Sequence, residues 1–454
     1  MRELTVGPFG MRGRVDHGLD LRRVIDLVSA FGTWLEGAPV VVARDTRPSS
    51  PMIACAAISA LSSAGCEVLD AGICPTATAQ SEGRRRGAAG VLSITASHND
   101  ASWNGIKFFG DAGRMLVRAE GSEILDLWHQ GEFIKARHDR LGAIRLLDDV
   151  IENYIERIVA SVDWQVIARA RLRIVIDAGN GAGAMVVPQL CHQLGVDLIP
   201  ISCEPSGVFP RLPDPTSRSL AQAAAIMRPV SAHVGFGFSS DCERVSVITD
   251  SGEALGNRTT LPLVVDTIEK RRDEDVRVVA SVCCDSRVDK ICDRKGFSLI
   301  RGGVGIQTIV QRMLADDAIV GGSATGGVAF ASETCFGFDG VVAMTKLIYH
   351  LAQTRATAQD LADALPRVYA RRAKVACSVS GAYSAVARIR ASADGRVTDL
   401  DGVRVELSDG AWYHVRVSQT EPVIRITCEA NSVEAADELL ERLKAKVAGA
   451  IHGA

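Results

Sequence analysis

The chain has 454 residues, of which 47% are hydrophobic, 23% charged and only 5% aromatic, with a formal net charge of −3. This length exceeds what one hydrophobic core usually holds and points to about three or four domains, while the composition excludes a disordered or fibrous protein. The slightly acidic balance, without a long basic run, excludes a general nucleic-acid or anionic-membrane surface and leaves a small molecule as the expected partner.

The twelve cysteines are scattered, with no CxxC pair, which argues against zinc. No stretch approaches the roughly 20 apolar residues of a membrane helix, and "MRELTVGPFGMRGRV" is not an apolar signal segment. The expected compartment is therefore the cytoplasm, with the thiols reduced.

In chain order, "PVVVARDTRPSSPMIACAAISALSSAGCEVLDAG" (39–72) reads as a β-branched strand, a turn of small and acidic residues, a helical run ending in Gly, and a second strand. "EGRRRG" at 82–87 reads as a solvated helix end. "VLSITASHNDASWNGIKFF" (91–109) sets an apolar strand against a polar knot. There Ser97 offers a hydroxyl nucleophile, His98 a hydrogen-bonding neighbour and Lys107 a proton-donating amine. Equally, Thr-Ala-Ser-His-Asn can be a polar turn and Asn104-Gly105 a tight one; the stretch alone leaves both open.

"LRIVIDAGNGAGAMVVPQLCHQLGVDLIPI" (172–201) repeats the strand–helix–strand plan. Its Gly179, Gly181 and Ala184 also fit Gly-x-Gly-x-x-Gly/Ala, and Glu204 follows the next strand as a ribose-binding acid would, so a dinucleotide-dependent enzyme is a rival reading. Tight packing of strand on helix explains the same glycines. In "GFGFSSDCERVSVITDSGEALG" (235–256), alternate side chains of an extended segment would turn Ser239, Asp241 and Glu243 toward one oxygen-loving cation and Arg244 toward a phosphate. The alternative is an acidic turn, with Asp250-Ser251-Gly252 closing a hairpin.

A third copy of the plan is "VRVVASVCCDSRVDKICDRKGFSLIRGG" (276–303). Strands alternating with helices at this spacing predict mostly parallel sheets with right-handed crossovers. From about residue 370 the pattern changes to alternating strands, "AWYHVRVSQTEPVIRITCEA", and a polar-faced helix, "SVEAADELLERLKAKVAGAI". The fold expected is α/β, three related domains with mixed, mostly parallel sheets plus a smaller C-terminal α+β domain. Within the last, "RVSQTEPVIRI" (416–426) could wrap a phosphate with Arg416, Ser418, Gln419 and Thr420, or be a charged hairpin tip.

Taken together, these loops resemble the α-D-phosphohexomutase superfamily (phosphoglucomutases, phosphomannomutases, phosphoglucosamine mutases) along nearly the whole chain. "FGMRGRV" is similar to its Gly-x-Arg-Gly opening, and "VVVARDTRPSS" to its Gly-Arg-Asp-Thr-Arg strand end. "ITASHNDASWNGIKFF" resembles its phosphoserine loop, "EPSGVFPRLPDPTSRSL" the segment leading to its metal loop, and "RVSQTEPVIRI" its Arg-x-Ser-Gly-Thr-Glu-Pro phosphate loop.

The resemblance implies four domains around a central cleft, here expected at 1–146, 147–254, 255–368 and 369–454. It also implies a phosphoserine that hands its phosphoryl group to a sugar phosphate and recovers the other one from the bisphosphate formed. Ser97 would be the nucleophile, Lys107 and His98 would handle protons, and Arg12 and Arg44 would hold the phosphoserine. Arg416, Ser418, Gln419, Thr420 and Arg425 would anchor the phosphate that is not reacting, with Arg244 beside it. Mg²⁺ is the implied cofactor, on Ser97, Ser239, Asp241 and Glu243, with a sugar bisphosphate as activator. Such chemistry asks mainly for alignment and charge neutralisation.

Four departures stand out. The metal loop of the family reads Asp-Gly-Asp-x-Asp-Arg, whereas this chain has Ser239, Ser240, Asp241, Cys242, Glu243 and Arg244. Mg²⁺ wants near-octahedral oxygen geometry, so weak binding that depends on phosphorylated Ser97 is expected. The sugar loop of the family, Gly-Gly-Glu-x-Ser-Gly-His, is here "GGSATGG" (321–327), so Ser323, Thr325 and Gly327 stand for the glutamate, serine and histidine. A site rebuilt in this way should not keep the same hexose preference, unless Glu333 supplies a carboxylate from a shifted loop. Pro8 and Phe9 stand where small polar residues are usual, and Asp100 where proline is. The expected activity is a mutase on an atypical phosphosugar; the alternative is a non-mutase or pseudoenzyme that binds or uses a phosphorylated sugar.

Overall fold

The run Val40–Arg44 is β-branched and buried on both faces, as a central strand of a parallel sheet must be. Helix Ser50–Ser63 follows, with Pro51 in its first turn, where the missing N–H costs nothing, and strand Val68–Ile73 returns parallel to Val40–Arg44. The same unit recurs as Arg173–Asp177, Gly183–Gln193 and Asp197–Ile201, and as Arg277–Ser281, Arg287–Lys295 and Ser298–Gly302. The structure, a computed structural model, describes residues 4–271, 274–331, 337–418 and 422–452.

The first sheet has seven strands. Val40–Arg44, Val68–Ile73, Gly90–Ile94 and Ile144–Leu146 are parallel, and Trp103–Phe109, Gly10–Arg14 and Leu4–Gly7 are added antiparallel at one side. The second and third sheets have four strands each, three parallel and one antiparallel. The C-terminal sheet has five strands, all antiparallel, backed by helices Val379–Ala391 and Val433–His452. This is the four-domain α/β architecture expected, with the smaller α+β domain last.

One buried cluster joins the second and third domains, running from Tyr154 and Phe236 to Val278 and Leu347. Tyr154 donates its hydroxyl to Asp339 at 2.8 Å across this core, which fixes the two domains as a single base for the loops between them. "EGRRRG" is a helix end as expected: Thr76–Arg86 closes on Gly87, with three arginines in its last turn. Among the described residues no helix is long and apolar enough to cross a membrane.

Candidate active site

The polar knot is held from beneath. Ser97 has φ +53°, a left-handed conformation that costs a non-glycine residue on the order of 1–2 kcal/mol and persists only where surroundings fix it. Here its N–H donates to Thr95 Oγ1 at 2.9 Å, and its carbonyl accepts from Arg47 Nη2 at 2.9 Å and Ser240 Oγ at 2.8 Å. Arg47 is fully buried and pairs with Asp45 at 2.9 Å; it also donates to the carbonyls of Asn99 at 2.7 Å, Trp103 at 3.0 Å and Asp100. The loop thus wraps one guanidinium, whose donors meet four backbone oxygens.

Ser97 is 5% exposed, and its Oγ donates to Asp241 Oδ1 at 3.1 Å. Asp241 belongs to a tight turn, not to the extended segment the sequence suggested: Cys242 has φ +58° and its N–H returns to the Ser239 carbonyl at 3.0 Å. The turn is clamped from three sides. Thr76 N–H meets the Asp241 carbonyl at 3.2 Å, Gly340 N–H the Cys242 carbonyl at 2.9 Å, and Val245 N–H the Gly326 carbonyl at 3.2 Å. The expected hairpin is present as well, with Gly252 N–H on the Thr249 carbonyl at 2.9 Å.

Lys107 reaches this turn from strand Trp103–Phe109, its Nζ 2.9 Å from Asp241 Oδ2 and 2.7 Å from Glu243 Oε1. Burial pushes Lys107 down, but the two carboxylates outweigh it and raise its pKa. Burial likewise pushes Asp241 up, yet Lys107 holds it well below the usual carboxylate range, whereas at Glu243 burial prevails and the pKa rises. His98 is driven well below its ordinary pKa by burial and by Arg244 and Arg12, and is neutral. Among the described residues its Nδ1 has no hydrogen-bond partner.

A cleft of about 730 Å³ gathers the expected residues from all four domains. Arg12, Ser97, His98 and Lys107 come from the first, Glu243 and Arg244 from the second, Ser323 and Thr325 from the third, and Arg416, Ser418 and Arg425 from the fourth. The Arg12 guanidinium has neither a hydrogen bond nor an ion pair among the described residues, and burial and Arg244 lower its pKa, as for a cation awaiting an anion. Ser323 and Thr325 share a hydroxyl–hydroxyl bond of 2.8 Å. Ser418 accepts from Arg425 Nε at 3.3 Å. Gln419, Thr420 and Glu333 lie outside the described residues.

Two expectations are corrected. Arg44 is not brought to the cleft: its Nη1 lies 4.0 Å from Asp70, and Arg47 is the arginine of "RDTRPSS" that holds the serine loop. The glycine turn at 179–181 has no room for a dinucleotide, because a Cβ on Gly181 would stand 2.7 Å from Ser240 Cα and Ala182 N–H already donates to the Ser240 carbonyl at 2.8 Å. Its function is close packing that seats the Ser239–Arg244 turn.

The residues expected to hold Mg²⁺ are engaged with one another. Ser239 does not point a free oxygen at one: its hydroxyl donates to Asp241 Oδ1 at 2.8 Å and accepts from Arg244 N–H at 3.1 Å. Two carboxylates already joined by an ammonium do not fit Mg²⁺ as the set stands, and among the described residues no group of three His, Cys, Asp or Glu side chains is placed to hold a metal ion.

Other residues of the cleft went unnoticed in the sequence. Asp214 receives Arg244 Nη1 at 2.9 Å and Asn257 Nδ2 at 3.0 Å. Arg372 and Lys374 line the fourth-domain side, and "YARRAKVA" carries a signal for them in its alternating cations. His414 and Cys283 face each other at 3.2 Å, a pairing across 131 residues that no local pattern announces.

The chain matches the phosphoglucomutase/phosphomannomutase alpha/beta/alpha domains I, II and III over residues 3–135, 152–252 and 256–369, and the C-terminal domain of the same family over 355–446. It is 32% identical to a phosphoglucomutase/phosphomannomutase of Thermococcus kodakarensis over 96% of each chain. It is 30% identical to a probable phosphoglucosamine mutase of Thermococcus gammatolerans over 99% of each. A crystal structure of a phosphoglucomutase/phosphomannomutase family protein from Burkholderia thailandensis superposes with a TM-score of 0.84 at 26% identity, covering 98% of this chain and 97% of that one.

Proposed function

The chain belongs to the phosphoglucomutase/phosphomannomutase family, an intramolecular phosphotransferase of the phosphohexomutase kind, and from that premise we propose that it moves a phosphoryl group within a sugar phosphate by way of Ser97. The observation that carries this reading is the setting of Ser97: a backbone-strained serine, nearly buried, opening onto a cleft whose near wall holds Arg12, Lys107 and Arg244 and whose far wall holds Arg416 and Arg425. Phosphoryl transfer needs little covalent chemistry beyond a nucleophile aligned among fixed positive charges.

In this reading, phosphorylated Ser97 gives its phosphoryl group to a hydroxyl of a sugar monophosphate, whose own phosphate rests on Arg416, Ser418 and Arg425. The bisphosphate then turns end for end, and Ser97 takes the other phosphoryl group. A sugar bisphosphate primes the resting enzyme in the same way. The cleft volume is of the size that encloses a small ligand. The hydroxyl pair Ser323–Thr325 supports a sugar other than one read through a carboxylate and an imidazole, because a site selects by the polar groups it leaves unpaired.

The test is the covalent state of Ser97. Intact-mass measurement after incubation with a panel of hexose 1,6-bisphosphates should find one added phosphoryl group, absent from Ser97→Ala. Wild type that never acquires one overturns the role of Ser97. A sugar phosphate that raises the melting temperature but is never converted would instead favour binding without turnover.

A further inference from the structure

The positions of Lys107 and Ser239 bear on how the transfer site is neutralised. The ammonium of Lys107 stands between the carboxylates of Asp241 and Glu243, at 2.9 and 2.7 Å. The second oxygen of Asp241 is occupied by three donors: Ser239 Oγ at 2.8 Å, Ser97 Oγ at 3.1 Å and Glu243 N–H at 3.3 Å. A carboxylate at 239 would crowd a third negative charge against Asp241 and require a divalent ion to offset it. Ser239 instead brings a neutral donor, and one ammonium leaves the trio of Lys107, Asp241 and Glu243 with a single negative charge, faced by Arg12 and Arg244 across the cleft.

We propose that in this protein the Lys107 ammonium takes the place of a divalent cation, so that phosphoryl transfer to and from Ser97 proceeds without bound metal. This rests on the reading of Ser97 as the phosphoryl carrier. As the P–O bond to the sugar breaks and the bond to Ser97 Oγ forms, the departing sugar oxygen gains the proton that Ser97 Oγ gives up, while Lys107 stays an ammonium throughout. The products are a sugar hydroxyl and phosphoserine; the reverse transfer moves the same proton in the opposite direction.

The experiment follows Ser97 labelling by intact mass, with full-length protein stripped of metal and incubated with glucose 1,6-bisphosphate in EDTA or in excess Mg²⁺. The wild-type rates should agree within about twofold, and Ser239→Asp should become Mg²⁺-dependent, labelling roughly tenfold or more slowly in EDTA. Calorimetry should find Mg²⁺ binding in Ser239→Asp and none in wild type. Wild-type labelling that requires Mg²⁺ overturns the proposal, whether or not the variant folds. Labelling in neither condition counts instead against Ser97 as carrier, and removes the proposal with it.

Discussion

Arg47 lies directly before Pro48 in "RDTRPSS", and nothing in that spacing distinguishes it from Arg44, three residues earlier. What separates them is burial: Arg47 is wholly enclosed and satisfies four backbone carbonyls, whereas Arg44 is partly exposed beside Asp70. His414 was equally illegible. It sits 1% exposed with Nε2 2.9 Å from the Asp401 carbonyl, and burial, with Arg416 behind it, pushes its pKa down from 6.5 to about 4. Above about pH 6.5 folded and unfolded chains both carry it neutral; below that the unfolded chain takes up a proton that the folded one refuses, so stability falls between about pH 6.5 and 4. The loss is on the order of 3 kcal/mol at the lower end. Thermal unfolding should therefore fall less steeply over this range in His414→Asn than in wild type. Equal slopes would mean that His414 ionises freely in the fold.

At the scale of elements, periodicity located the strands and helices but misjudged two local geometries. Asn104-Gly105 is not a tight turn: both lie within strand Trp103–Phe109, where Gly105 pairs with Arg12. A Cβ at Gly105 would stand 2.5 Å from the Met11 carbonyl. Gly105→Ala should cost about 1–3 kcal/mol of stability by overpacking, and should shift strand Gly10–Arg14 so that Arg12 leaves its place in the cleft. Chemical denaturation measures the first effect and sugar-phosphate titration the second. Full wild-type stability in the variant would refute the close approach. The second misjudgement, an extended 239–244, arose because a period of two looks the same in a strand and in a turn whose central residue adopts positive φ.

The whole molecule makes one cleft from four domains, and its two walls do different work. Ser97 and Lys107 meet the transferring group, while Arg416 faces them from the last domain, its Nη1 3.9 Å from Asp401. Loss of a hydrogen bond from a charged donor costs about 1.5–3 kcal/mol, so Arg416→Ala should weaken sugar-phosphate affinity about tenfold to hundredfold and lessen its dependence on salt. Labelling of Ser97 at saturating bisphosphate should be unchanged. Calorimetric titration at two ionic strengths checks the affinity. A variant with wild-type affinity would remove Arg416 from the binding wall.

The sequence by itself determined the α/β repeats and the change to an antiparallel C-terminal domain, because hydrophobic period and turn chemistry act within windows of about thirty residues; the cleft loops were identified through their resemblance to a known family. Which charge meets which was decided only by the tertiary structure. Ser97 and Asp241 are 144 residues apart, Arg47 and Ser240 193. The physical reason is that a carboxylate, an ammonium or a guanidinium has no fixed partner in its own segment; its role follows from the burial and the neighbours that folding brings. So the loop holding Ser97 could be read as a site, but the ammonium of Lys107 between Asp241 and Glu243 could not.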